Sequence, residues 1–220
     1  MENNLSKIQV SIVIGSYNQK EKLKKVIESY CFQTFPNDLY ELIVVDSTSS
    51  DGTREWSKSQ NLAYYFRFYE VENKGKSYAR NYGIQKANGK IIILSDADIV
   101  ADKDFVKNHY DAHVNTDFSM CYEGLEYNLK DISKPINKSN IARYIKINTK
   151  NNQKLGWYYF LTGNLSAPRD ILINNLFSED FLGYGWEDLE LGYRLYKKGI
   201  QLRYLKSAVN YHYHSYGFYE

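Results

Sequence analysis

Residues 91–100 read Ile-Ile-Ile-Leu-Ser-Asp-Ala-Asp-Ile-Val, an apolar run that stops abruptly at acid. Ile91 to Leu94 is short, continuous and rich in β-branched residues, as in a strand buried on both faces of a parallel sheet. Ser95, Asp96, Ala97 and Asp98 follow at its C-terminal end. Carboxylates two residues apart at a strand end can converge on one divalent cation, and strand ends of open α/β sheets are where ligands bind. The stretch points to metal-assisted chemistry on a phosphorylated substrate. A solvated turn is the competing reading.

Working outward, the same grammar repeats toward the N-terminus. Ile8 to Ile14 reads as a strand and Lys20 to Phe32 as a helix, with Leu23, Val26, Ile27 and Tyr30 at helical spacing. Glu41 to Val45 is a second strand ending at Asp46, followed by a short helix over Thr53 to Ser59. Ala63 to Glu70 is a third strand, and Lys76 to Lys86 a helix closed by Asn88 and Gly89. Strand and helix alternate with short connections, which predicts an α/β fold with a doubly wound, mostly parallel sheet. Beyond about residue 100 the pattern changes. Asp102 to Val114 is expected to be helical, Phe118 to Leu129 extended, Lys130 to Asn152 irregular, and Tyr158 to Leu161 a strand. Glu187 to Lys198 reads as a helix stopped by Gly199, and Ile200 to Leu205 as a strand. One domain over residues 1–220 is expected: a nucleotide-binding half to about residue 100, and a smaller acceptor-side half wrapped onto the same sheet.

Bulk composition agrees with a packed enzyme-sized domain. At 220 residues and 43% hydrophobic, the chain can bury a core. A formal charge of +2 argues against nucleic acid as the main partner. Lys20, Lys22, Lys24 and Lys25 read as the solvated face of the first helix, or as a weak attraction to an anionic membrane surface. Cys31 and Cys121 sit among apolar residues and read as small buried hydrophobes rather than a disulfide. No signal peptide or membrane-length apolar run is visible, and the expected location is cytoplasmic. The 22 tyrosines suit carbohydrate, although base composition biases such counts equally well.

Three further groups carry chemistry. Gly15-Ser16-Tyr17-Asn18 follows the first strand, with neither a dinucleotide fingerprint nor a Walker loop, so phosphates would need a metal. Asp46 could accept a base N–H or cap the Ser47 to Gly52 turn, and Arg80 could reach a ligand or stand exposed on its helix. Gly183-Tyr184-Gly185-Trp186-Glu187-Asp188 opens a helix. The dipole explains acids there, but not the glycines and tryptophan. An aromatic face suits a sugar ring, and a carboxylate beside it can serve as general base. Near the C-terminus His212 and His214 share one side of an extended segment and are candidate metal ligands.

Taken in order, SIVIGSYNQ, ELIVVDSTSSDGT, NKGKSYARNYGI, IIILSDADIV and FLGYGWEDLELGYRLYKKG resemble glycosyltransferase family 2, with its GT-A fold. The resemblance runs from about residue 9 to about residue 214. The tryptophan-glutamate-aspartate helix looks most like the galactosyl-, N-acetylgalactosaminyl- and chondroitin-polymerase-like branch. It implies that Ser16, Tyr17 and Asp46 hold uracil, with Arg80 nearby. Asp96 and Asp98 would form the metal motif, Asp98 as direct ligand, His212 as third protein ligand and His214 as its substitute. Asp188 would be the base, and Glu187 would orient a sugar. The implied cofactor is Mn²⁺, with Mg²⁺ as replacement. The implied partners are a UDP-sugar donor and a glycan, peptide, lipid-linked or small-molecule acceptor.

The chain departs from the family pattern in places. Asp46-Ser47-Thr48-Ser49 replaces Asp-Asp-Gly-Ser, and Gly15-Ser16 replaces Pro-Thr. The sequence also stops soon after His214, where many relatives continue, so the expected acceptor site is either incomplete or supplied by another chain. Two other classes compete. Asp-Ala-Asp after an apolar strand fits haloacid-dehalogenase-like phosphatases, although there the motif usually opens the domain and a later Gly-Asp-x-x-x-Asp completes it. A non-catalytic sugar-nucleotide or glycan-binding module is the third class.

Overall fold

A computed structural model describes residues 6–116, 119–135, 150–181 and 185–213. The elements in chain order are β1 (Val10–Ser16), α1 (Lys20–Tyr30), β2 (Tyr40–Asp46), α2 (Thr53–Lys58), β3 (Tyr65–Glu70), α3 (Lys76–Lys86), β4 (Ile91–Asp96) and β5 (Ile99–Ala101). They continue with α4 (Phe105–Val114), β6 (Met120–Asn128), β7 (Asp131–Pro135), β8 (Lys154–Leu155), β9 (Asn164–Pro168), α5 (Arg169–Ile173), α6 (Glu187–Lys197) and β10 (Gln201–His212).

The apolar runs become a sheet because they have apolar partners on both faces. Ile12, Ile14, Leu42, Val44, Ile91 and Ile93 pack under Leu23, Val26 and Ile27 of α1. Their alternating neighbours Val13, Ile43, Val45, Ile92 and Leu94 pack on the other face with Ala79 and Ile84 of α3 and Leu191 and Leu195 of α6. Each fully buried aliphatic side chain contributes about 1.5–3 kcal/mol of burial free energy. The strand order is β3-β2-β1-β4-β9-β6-β10-β5, with β7 on β6 and β8 on β10. β3, β2, β1 and β4 are parallel, as the alternation predicts, and so are β6 and β10.

The second half holds what the pattern hid. β9 lies antiparallel between β4 and β6, matching Ser95 to Asn164 and Ile91 to Pro168. Its sequence, Asn-Leu-Ser-Ala-Pro, lacks a strand's apolar run, and its proline is tolerated only because it stands last. Tyr158 to Leu161 is not a strand. A 3-10 turn spans Trp157–Tyr159, where Tyr159 N–H donates to Gly156 and Phe160 N–H to Trp157 (3.1 and 3.0 Å). Those local bonds use the groups a ladder would need. The strand expected to end at Leu205 runs on to His212 across a register shift between Leu205 and Val209. Its last residues pair with β5, putting His212 opposite Ile99. Cys121 is buried as expected, and Cys31 is half-buried. Among the described residues, no helix is long and apolar enough to cross a membrane.

The buried polar residues of β9 are bound from α4. Ser166 Oγ lies 2.8 Å from His109 Nδ1 and 2.9 Å from His113 Nε2, and Asn164 Oδ1 lies 2.9 Å from His109 Nε2. Burial, and then the neighbouring His109, pull the His113 imidazole down to about 3. An unfolded histidine takes its proton near 6.5, so the unfolded chain binds more protons between those values. Stability is therefore intact above about pH 6.5 and falls as the pH drops toward 3. The melting temperature should decline across that window more steeply in the native protein than in His113→Gln. Parallel pH profiles of the two would remove His113 from the cause.

Candidate functional site

The site forms where β1, β2 and β4 end and α6 begins. Asp96 is the last residue of β4, and Gly15 of β1 is its register partner. A turn at Ala97 and Asp98 then leads into β5. The two acids of the Asp-Ala-Asp therefore face different neighbours.

Asp96 faces α3. Arg80 Nη2 donates to Asp96 Oδ1 at 2.9 Å, and Lys76 Nζ lies 3.1 Å from the same carboxylate. Arg80 is not the exposed helix arginine that its isolated position allowed. It is 1% exposed, and its second Nη reaches Asp188 Oδ1 at 2.9 Å and Glu187 Oε1 at 3.3 Å. Phe177 covers the guanidinium face at 5.6 Å. Thr162 holds the far side of Asp188, its Oγ1 3.0 Å from both carboxylate oxygens. Burial raises the Asp96 carboxyl, but Lys76 and Arg80 outweigh it and hold the group well below the usual carboxylate range.

Asp98 faces α1 and β10. Lys22 Nζ stands 3.3 Å from its Oδ2, and His212 Nε2 stands 3.3 Å from its Oδ1. Backbone pairing sets this contact, since Tyr213 N–H donates to the Asp98 carbonyl at 2.8 Å. Glu126, buried in β6, lies 2.9 Å from His212 Nδ1 and so turns Nε2 toward Asp98. Burial alone would lower the imidazole, but its bonds to Asp98 and Glu126 push it up to about 9. Burial raises Asp98 while His212 and Lys22 lower it, leaving the carboxyl below its ordinary value. The lysines of α1 are thus not simply a solvated face: Lys22 pairs with Asp98, and Lys25 donates to the Tyr213 hydroxyl at 2.7 Å.

At the ends of β1 and β2, Asp46 is fully buried and takes the turn-capping arrangement. Its two oxygens accept from the Ser49 N–H and Ser49 hydroxyl, both at 2.7 Å. Ser16 Oγ is buried and has no hydrogen-bond partner among the described residues, while Tyr17 is half exposed beside it. At the mouth, Gly185 (φ 95°) and Trp186 (φ 75°) are both left-handed, and the Trp186 side chain is 68% exposed. A non-glycine residue there is held at a cost of about 1–3 kcal/mol, which here turns the indole to solvent. Glu187 is buried, and its Oε2 has no partner among the described residues. Gly183, Tyr184 and His214 lie outside the described residues.

Thr162, Glu126 and Gly163 are among the contributors that the sequence did not reveal. A Cβ on Gly163 would lie 2.9 Å from Ile99 Cδ1 and 3.2 Å from Glu126 Oε2, so only glycine lets β9 pass this close. Nothing local marks them, because β9 and β6 meet only through the sheet. Among the described residues, no group of three or more His, Cys, Asp and Glu side chains is arranged to hold a metal ion. Asp98 and His212 nevertheless place a carboxylate and an imidazole side by side, partly open to solvent (20% and 16%), and the imidazole becomes a nitrogen donor once it gives up its Nε2 proton. Hard divalent ions are commonly held by one or two carboxylates plus substrate phosphates, so this pair fits Mn²⁺ or Mg²⁺.

A mixed, mostly parallel sheet flanked by helices, with acids at the β4 end, defines a GT-A-type α/β protein. The chain belongs to Glycosyl transferase family 2, whose pattern matches residues 11–172. It is 28% identical over 254 aligned residues to the Uncharacterized glycosyltransferase YfnE of Bacillus subtilis (strain 168), covering 93% of this chain and 64% of that protein. The S. aureus TarS 1-349 structure in complex with UDP-GlcNAc superposes with a TM-score of 0.76 at 16% identity, covering 96% of this chain and 60% of that one. The mannosyltransferase PcManGT from Pyrobaculum calidifontis, in complex with GDP-Man and Mn2+, gives 0.71 at 19%, with 96% and 58% covered. The chain thus spans under two thirds of each of these proteins.

Breaking a buried ion cluster by removing one partner typically costs about 3–5 kcal/mol. Arg80→Met should cost that much in a denaturant titration, because three carboxylates lose their shared counter-ion. Arg80→Lys, which keeps the charge but not the fork, should fall between. An unchanged midpoint in Arg80→Met would show that the guanidinium does not organise the site.

Proposed function

We propose that this protein is a metal-dependent, inverting glycosyltransferase that moves a hexose or N-acetylhexosamine from a UDP-sugar to a nucleophile on a glycan, peptide or small molecule. The observation that carries this reading is the Arg80 bridge. One buried guanidinium joins Asp96, at the end of a nucleotide-side strand, to Asp188, at the start of α6. A donor-side acid and a candidate base thereby share one site.

The roles follow from chemistry. Ser16, Tyr17 and Asp46 hold the uracil. Asp46 has spare acceptor capacity beyond Ser49, since each carboxylate oxygen takes two hydrogen bonds. Asp98 and His212 hold the cation, with His214 as the further candidate. The bound cation supplies positive charge beside the diphosphate. Asp188 accepts the proton of the acceptor hydroxyl as its oxygen attacks the anomeric carbon. The carbon–oxygen bond to the β-phosphate breaks on the opposite face, its electron pair stays on the phosphate oxygen, and one displacement inverts the centre. Arg80 anchors Asp188 through an ion pair, and Thr162 fixes its plane. The buried, unpartnered Oε2 of Glu187 is the acceptor for a sugar hydroxyl, and Trp186 offers its face to a sugar ring. The Trp-Glu-Asp helix start supports the galactosyl-, N-acetylgalactosaminyl- and chondroitin-polymerase-like branch.

Asp188→Asn should lower the single-turnover rate by about 10²–10⁴-fold, with UDP-sugar affinity nearly unchanged. Asp98→Ala should lose Mn²⁺-dependent UDP binding while melting close to the native temperature. Transfer at the native rate by Asp188→Asn refutes the base assignment. Equal binding of UDP and CDP by the native protein refutes uracil reading, because cytosine lacks the N3–H.

A further inference from the structure

Two ammonium groups reach the Asp-Ala-Asp from opposite sides of the sheet. Lys22 Nζ lies 3.3 Å from Asp98, and Lys76 Nζ lies 3.1 Å from Asp96. Both lysines stand in the first turn of a helix, Lys22 in α1 and Lys76 in α3. The helix dipole disfavours cations there, so their position runs against local electrostatics. Their long side chains are also partly open, 42% and 34% exposed, whereas Arg80 is sealed in by three carboxylates. Arg80 is spent on the protein's own acids, and these two can turn to a ligand. Their neighbours on α1 behave differently: Lys24 pairs with Glu21 over the Trp56 ring, and Lys20 Nζ donates to the Asp51 carbonyl.

We infer that Lys22 and Lys76 are the protein's own grip on the diphosphate of the donor, one on each side of the Asp-Ala-Asp. The inference rests on the nucleotide-sugar reading above and adds the phosphate-binding residues to it. A second phosphate at this strand end brings anionic oxygens beside Asp96 and Asp98. Ammonium groups already there neutralise them without dismantling the Arg80 cluster. A cation seated on Asp98 would compete with Lys22 for the same carboxylate and free its ammonium for the phosphate. As the sugar–phosphate bond breaks, the electron pair settles on the β-phosphate, where two nearby positive charges favour the leaving group.

Titration calorimetry at saturating Mn²⁺ tests this with paired nucleotides, UDP against UMP and GDP against GMP. The native protein should bind one diphosphate well above its monophosphate. Lys22→Met and Lys76→Met should each weaken the diphosphate by about tenfold or more, the size of one charge-assisted hydrogen bond, and leave the monophosphate within about twofold. Lys76→Arg should retain most of the preference. Lys24→Met, an equal loss of charge on the same helix, should leave both affinities at native values. If both methionine variants keep the native diphosphate-to-monophosphate ratio, or if Lys24→Met lowers it equally, the lysine assignment is overturned and the donor reading stands. If the native protein binds neither diphosphate, the donor reading itself fails.

Discussion

The site is organised around one buried positive charge. A guanidinium withdrawn from water is strongly unfavourable unless its donors and its charge are matched. Arg80 meets that demand with Asp96, Glu187 and Asp188. The demand works in both directions. The three carboxylates would repel one another around any neutral residue, which would destabilise the start of α6. Glu187 and Asp188 stand 107 and 108 residues from Arg80 in the chain. The interaction is therefore a tertiary lock between α3, the end of β4 and the start of α6. Burial of Leu191 and Leu195 against the sheet brings the helix down, and the ion cluster fixes its end.

A second constraint comes from the sheet. β5 is only three residues long, yet it turns the chain back so that β10 pairs antiparallel with it. His212 reaches Asp98 because this pairing sets it opposite Ile99, the residue after Asp98. Glu126 then removes the rotational freedom of the imidazole. This is the usual way a protein fixes which ring nitrogen faces a ligand. Gly163 leaves the room for it, since any side chain there would press on Glu126.

The parts legible in the sequence were those with strong local signals. The apolar runs of β1, β2 and β4 admit no other reading once helices alternate with them. Asp96, Asp98 and Asp188 announce themselves by standing at strand and helix ends. Arg80 did not, because an arginine within a polar helical stretch looks solvated until its partners are known. Lys22 was hidden for the same reason, reading as one of four lysines on an amphipathic helix. β9 was hidden more deeply. Asn164 and Ser166 are polar and fully buried, which His109, His113 and the Leu125 and Ala208 carbonyls make tolerable. Where burial depends on long-range hydrogen bonds rather than on apolarity, periodicity carries no signal.

The Asp-Ala-Asp is best understood as a fork. Ala97, buried between the two acids, sits in the turn that separates the end of β4 from β5. In a continued strand, acids two residues apart would share one face and one set of neighbours. The turn breaks that rule and sends Asp96 to Arg80 and Asp98 to His212. The prongs therefore differ in kind. Asp96 is tied into the ion cluster that holds the candidate base, so changes at Asp96 are transmitted to Asp188 through a rigid guanidinium. Asp98 is tied to an imidazole and a partly open lysine, groups that a ligand can displace at modest cost. Each prong carries a partly open lysine, but only Asp96 is also tied to the sealed guanidinium. In the proposed transfer, that division would let a single loop serve both the fixed geometry of proton abstraction and the exchange of a charged donor.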